Sequence, residues 1–157
     1  MTRVIYAGSF QPPTMGHLDI IRRAAETFDE VIVAVLSQSE KTYAISPEER
    51  ADMIGRITKD LPNVKCLYDT GLLVDVARRE GATVILRGIR GEADVSFELE
   101  LAQANRLIGG YETVFFPASP EYSRLSSTIV RDCARHGAPL SGMVPPEIIA
   151  DVYKAFG

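Results

Sequence analysis

After their charged first residues, 3–7 (RVIYA) and 30–36 (EVIVAVL) are apolar at successive positions, without the clean polar alternation of a half-exposed strand. A strand of this kind must be covered on both faces, which is the position of a central strand in a parallel sheet. Between them, Leu18, Ile21, Ala25 and Phe28 recur at helical spacing, so residues 16–27 are expected to form a helix with one face on that sheet.

The same alternation continues. Ser46-Pro47-Glu48-Glu49 has the form of a capping box with proline at the first helical position, predicting a helix over 47–59. Strands are expected at 63–68, 83–86 and 112–116, and helices at 72–80, 93–108 and 128–135, with a last helix after Pro145 and Pro146. In 93–108 the residues Val95, Leu99, Ala102 and Leu107 form an apolar stripe. Strands separated by helices of this length predict an α/β fold with a doubly wound parallel sheet. No linker, repeat or low-complexity tract divides the 157 residues, so one domain over 1–157 is expected.

Composition narrows the function classes. A net charge of −4 disfavours non-specific nucleic-acid binding and association with an anionic membrane, while leaving room for a local basic cluster. Cys66 and Cys133 are far apart and lack metal-ligand spacing, and Met53 and Met143 read as packing residues. No apolar run approaches a membrane span and no signal peptide opens the chain, so a cytoplasmic setting is the expectation.

Ligands of open parallel sheets bind beyond the carboxyl ends of the strands, where strand order reverses. Three clusters have that address if the first and fourth strands are neighbours: 8–17 after the first, 87–90 after the fourth, and 123–128 after the fifth. His17 alone could be a surface histidine, but it belongs to a Thr14-Met15-Gly16-His17 unit at a helix start and can donate to a phosphoryl oxygen in either protonation state. Arg87 and Arg90 flank Gly88, and guanidinium groups bind phosphate bidentately. Lys41 is either a third cation of the site or a solvated surface charge. Ser126, Ser127 and Thr128 exceed what helix capping requires and would cradle a polyphosphate. No P-loop, dinucleotide fingerprint, nucleophile elbow, zincin motif or paired carboxylates are present. Cations, amides and hydroxyls suit transfer between phosphates by positioning and charge stabilisation.

These residues resemble the nucleotidyltransferase superfamily, whose TxGH unit is matched by Thr14, Gly16 and His17 and whose late ISSS-like unit is matched by 125–128. More closely, GSFQPPTMGHLDII, the Lys41 segment, SPEER, ILRGIRGEADVSFELELAQANR and EYSRLSSTIVRD are similar, in order and spacing, to the bacterial phosphopantetheine adenylyltransferases. The resemblance implies a Rossmann-like nucleotidyltransferase fold with C-terminal helices. It also implies transfer of the adenylyl group of ATP to 4′-phosphopantetheine, with release of pyrophosphate and no covalent intermediate, in coenzyme A synthesis.

By position, the resemblance assigns catalysis to Ser9, His17, Lys41 and Arg90, and acceptor binding to Ser9, Lys41, Leu73 and Arg87. ATP would be held by Ser9, Phe10, His17, Gly88, Ile89, Arg90, Glu98, Tyr122, Ser123, Arg124, Leu125, Ser126, Ser127 and Thr128. Mg²⁺ would ride on the ATP phosphates with no protein metal ligand, coenzyme A would inhibit, and the chain would form a homohexamer. Gln11 stands where the family commonly has aspartate, Ser9 where threonine is frequent, and Phe97 where tyrosine is frequent. Two other functions are compatible with the residues alone: a superfamily member with another nucleotide or acceptor, and a nucleotide-binding partner protein without catalysis.

Overall fold

The computed structural model describes residues 1–37 and 43–157. Lys41 lies outside the described residues. Five parallel strands form one sheet: β1 (Arg3–Gly8), β2 (Glu30–Leu36), β3 (Val64–Asp69), β4 (Val84–Ile89) and β5 (Thr113–Pro117), in the spatial order β3-β2-β1-β4-β5. The order reverses between β1 and β4, which pair through Val4–Val84, Ile5–Ile85 and Tyr6–Leu86.

The helices are α1 (Met15–Thr27), α2 (Pro47–Ile57), α3 (Leu73–Arg79), α4 (Glu92–Gly109), α5 (Ser127–Arg135) and α6 (Ile149–Phe156). Consecutive residues of β1 feed opposite cores, because side chains alternate across a strand. Val4 and Tyr6 pack with Ile20, Ile21 and Ala24 of α1 and Ile54 of α2. Ile5 and Ala7 pack with Val76 and Ala77 of α3. All five residues from Val31 to Val35 are buried, which accounts for their unbroken apolar run. A further layer unites Leu18, Met53, Ile57, Val130, Ala134 and Val152, and fixes α5 and α6 against the outside of α1 and α2.

Several local expectations need correction. The Ser46 hydroxyl accepts from Glu49 N–H at 3.1 Å, but α2 has only this half of the anticipated capping box. Glu49 is exposed, and water solvates a carboxylate there as well as the capping amide would. Cys66 and Cys133 are free, half-buried thiols. The largest departure is α4: Leu99 is 45% and Leu107 87% exposed, and the buried residue of the helix is Glu98. Within its apolar stripe Leu99 and Leu107 therefore face away from the core of this chain, while Val95 and Ala102 are half-buried.

Candidate active site

The reversal of strand order leaves a cleft above the carboxyl ends of β1 and β4. It encloses about 450 Å³ and is lined from the β1–α1 loop, β4, α4 and the start of α5. The loop leaving β1 is tightly shaped. Phe10 has φ of +50°, a conformation that costs a non-glycine residue about 1–3 kcal/mol unless its surroundings enforce it. Here the Phe10 ring is 2% exposed and meets the His17 ring edge-on, with centroids 4.8 Å apart. Arg50 fixes the loop from below: this fully buried guanidinium donates to Ser9 O at 2.6 Å, Ser37 Oγ at 2.8 Å and Ile45 O at 3.0 Å. Ser9 itself is exposed and lines the cleft.

At the start of α1, Thr14 and His17 cap one another. The Thr14 hydroxyl accepts from His17 N–H at 3.2 Å, and His17 Nδ1 accepts from Thr14 N–H at 3.0 Å. A backbone N–H can only donate, so Nδ1 carries no proton and the neutral ring holds its proton on Nε2. Burial first, then the Arg90 and Arg87 charges, pull the His17 pKa from 6.5 down to about 4. At neutral pH the ring is an uncharged Nε2–H donor. The sequence had left its protonation state open; the surrounding structure selects the neutral tautomer.

The two arginines after β4 are not waiting in solvent. Arg87 Nε and Nη2 grip the two Glu98 carboxylate oxygens at 2.7 and 2.8 Å, while Nη1 donates to Ala7 O at 2.9 Å. Burial works against the Arg87 charge, and the Glu98 bonds more than offset it, so its pKa is raised. Glu98, expected to meet ATP, spends both oxygens on this pair. Arg90 engages Asp94 at 3.2 Å and Leu125 O at 3.3 Å, tying β4 to the segment before α5. With Arg131, three arginines against two carboxylates leave the described lining net positive.

The hydroxyl cluster is also partly engaged. Ser126 Oγ caps α5 by accepting from Ile129 N–H at 3.2 Å, and Ser127 Oγ donates to Pro12 O at 2.9 Å. What α5 offers an anion is therefore chiefly the amides of its first turn, with the helix dipole behind them.

The cleft brings together Ser9, Phe10, His17, Arg87, Gly88, Arg90, Glu98, Tyr122, Leu125, Ser126, Ser127 and Thr128. Ile89, Ser123, Arg124 and Leu73 do not line it: Ile89 O accepts from Ala118 N–H, Ser123 Oγ turns to Pro120 O at 3.0 Å, Arg124 is exposed, and Leu73 packs with the β1–α3 core. Gln11, the family departure, has its carbonyl held by Arg131 at 2.6 Å and its side-chain Oε1 buried without a partner.

Arg131 and Tyr6, outside the residues that the motifs single out, also line the cleft. Arg131 Nη2 also donates to Thr128 Oγ1 at 3.2 Å. Its spacing of three from Thr128 was a usable signal, since residues i and i+3 share a helix face. Tyr6 lies two residues before Gly8, on the same side of β1.

Residues 5–133 match the Cytidylyltransferase-like family model. The chain is 45% identical over 153 residues to a phosphopantetheine adenylyltransferase of Lachnoclostridium phytofermentans, covering 97% of this chain and 94% of that one. It is 46% identical over 154 residues to the phosphopantetheine adenylyltransferase of Aquifex aeolicus, covering 98% and 96%. A solved chain from Vibrio parahaemolyticus, described as a candidate nicotinate-nucleotide adenylyltransferase, shares the fold with a TM-score of 0.66 at 18% identity, covering 97% of this chain and 91% of that one.

Proposed function

Because the chain belongs to the phosphopantetheine adenylyltransferase family, we propose that it joins ATP to 4′-phosphopantetheine, forming dephospho-coenzyme A and pyrophosphate by direct in-line attack. The observation that carries this reading is the His17 ring, held neutral with its Nε2–H available beside a cleft of cations and helix-end amides. Such a group donates to a phosphoryl oxygen without surrendering a proton, and its bond strengthens as charge accumulates there in the transition state.

The acceptor phosphate oxygen attacks the α-phosphorus of ATP, and the bond to the bridging oxygen breaks as pyrophosphate leaves. The phosphate nucleophile is already an anion, so neither a general base nor a protein nucleophile is needed. Ser9, Phe10, His17, Gly88, Ile89, Arg90, Glu98 and residues 122–128 belong to the ATP side of this proposal, with Ile89, Ser123 and Arg124 contributing through the segments that carry them. Ser9, Lys41 and Arg87 belong to the acceptor side, with Leu73 contributing through the start of α3 that carries it, and Ser9, His17, Lys41 and Arg90 belong to transition-state stabilisation. Fixed positive charge lowers the repulsion between two approaching anions.

The described residues contain no cluster of three or more His, Cys, Asp or Glu able to hold a metal. Asp94 and Glu98 are occupied by Arg90 and Arg87. Mg²⁺ therefore fits on phosphate oxygens and water, where it would neutralise charge on ATP. Coenzyme A shares the pantetheine arm and nucleotide of the product and would compete for the cleft. The exposed apolar face of α4, including Phe97, Leu99, Leu107 and Ile108, supports burial between copies in a homohexamer. No described helix is long and apolar enough to cross a membrane, and a cytoplasmic location accords with this chemistry.

The test is pyrophosphate release with ATP plus 4′-phosphopantetheine, against each alone and against ATP with nicotinate mononucleotide. Release that requires both proposed substrates is expected. Preference for the other acceptor, or ATP binding without release, overturns the reading.

A further inference from the structure

The backbone of Tyr6 is fixed from both sides, by its register with Val33 of β2 and Leu86 of β4. Its ring is fixed as well. It is 7% exposed, meets Phe10 edge-on with centroids 5.5 Å apart, and lies 6.5 Å from the His17 ring at 55°. The hydroxyl, in contrast, makes no hydrogen bond among the described residues. It is not sealed off either, because the described side-chain atoms buried without a partner are Gln11 Oε1 and Thr113 Oγ1, while Tyr6 lines the cleft.

A largely buried tyrosine ordinarily finds a partner for its hydroxyl, and leaving one unmet costs about 1–3 kcal/mol. The neighbouring groups supply none. Both oxygens of Glu98 are committed to Arg87, and Nδ1 of His17 to Thr14 N–H. Burial pushes the Tyr6 phenol up, so at neutral pH it keeps its proton and is a donor. A donor on a residue that lines a net-positive cleft together with Arg87 calls for an anionic oxygen brought by a ligand.

We propose that the Tyr6 hydroxyl is a further substrate-binding group, donating a hydrogen bond to a phosphate oxygen of a bound substrate. This rests on the adenylyl-transfer reading. Tyr6 adds a neutral, rigidly held donor that positions the phosphate without adding to the cationic charge of the cleft. The phosphate oxygen has two sources, ATP and the acceptor, with the same chemistry at the hydroxyl.

The Tyr6→Phe substitution in the full chain removes the hydroxyl and keeps the ring. Calorimetric affinities of wild type and variant are compared for ATP, adenosine, 4′-phosphopantetheine and pantetheine. The variant is expected to bind one phosphorylated probe about tenfold more weakly, with the phosphate-free counterpart unchanged. A loss confined to ATP assigns the bond to the ATP phosphates, and one confined to phosphopantetheine assigns it to the acceptor. The variant's unfolding midpoint is expected to be no lower than that of wild type, since no internal bond is lost. Unchanged affinity for all four probes, equal weakening with and without phosphate, or a midpoint several degrees lower overturns the proposal. Pyrophosphate release by wild type is measured alongside: its absence retires the adenylyl-transfer reading, whereas wild-type turnover with an unaffected variant retires only the role of Tyr6.

Discussion

The Thr14 amide donates into His17 Nδ1, and the proton of the neutral ring is thereby assigned to Nε2. His17→Asn is expected to lower kcat by about 10²–10³ with a smaller change in KM, measured by pyrophosphate release. The wild-type kcat/KM, which reports the free enzyme, should show no His17 inflection at the ordinary value of 6.5; an inflection there that the substitution abolishes would contradict the neutral donor. Stability carries the same signature. The unfolded ring takes a proton near 6.5 and the folded one near 4, so the unfolded state binds more protons between them. Stability is therefore unaffected above that window and falls as pH drops through it, by roughly 3 kcal/mol in all. Urea titrations at the two ends should show this loss in wild type and a smaller one in His17→Asn. Arg87→Ala should do two things. It should raise the acceptor KM more than the ATP KM. It should also destabilise the fold by about 3–5 kcal/mol, because Glu98 is left buried and unpaired. Denaturation of Arg87→Ala and of Arg87→Ala with Glu98→Leu separates these effects: the double variant regains stability and keeps the KM defect.

Among the elements, α5 and α2 share a start built on one serine hydroxyl, from Ser126 and Ser46 respectively. Ser46→Ala should cost about 1 kcal/mol by denaturation without changing kcat. The α4 helix is the element whose pattern is explained least within one chain. Its helical residues are readable from the sequence, but amphipathic periodicity states only that a face will be buried, not against what. Glu98 points inward to Arg87, while Leu107 and Ile108 point out. Leu107→Glu should leave helix content intact and shift the species seen by sedimentation to smaller size; unchanged sedimentation would argue against α4 as the surface joining copies.

Across the whole molecule, the site exists because β1 and β4 are adjacent though 80 residues separate Arg3 from Thr83. The succession of strands and helices along the chain, the helix starts and the residue types gathered at strand ends follow from local pattern: unbroken apolar runs for doubly covered strands, Ser46-Pro47 and Thr14-Met15-Gly16-His17 for helix entry. These are short-range properties of the chain, so its sequence determined the α/β class and the three clusters at strand ends, while the pairing of β1 with β4 that brings the clusters together belongs to the tertiary structure. The partner of each charged or polar group was decided elsewhere. Nothing local to Arg87 specifies Glu98 and Ala7 O as its acceptors, nothing local to Tyr6 places it in the lining of the cleft, and nothing in residues 126–128 says that Ser127 will be spent on Pro12. Hydrogen bonds and pKa values depend on which groups meet across long loops and on how much water remains between them. Tertiary structure alone settles that: it holds His17 neutral, engages Arg87 and turns Leu99 and Leu107 of α4 outward.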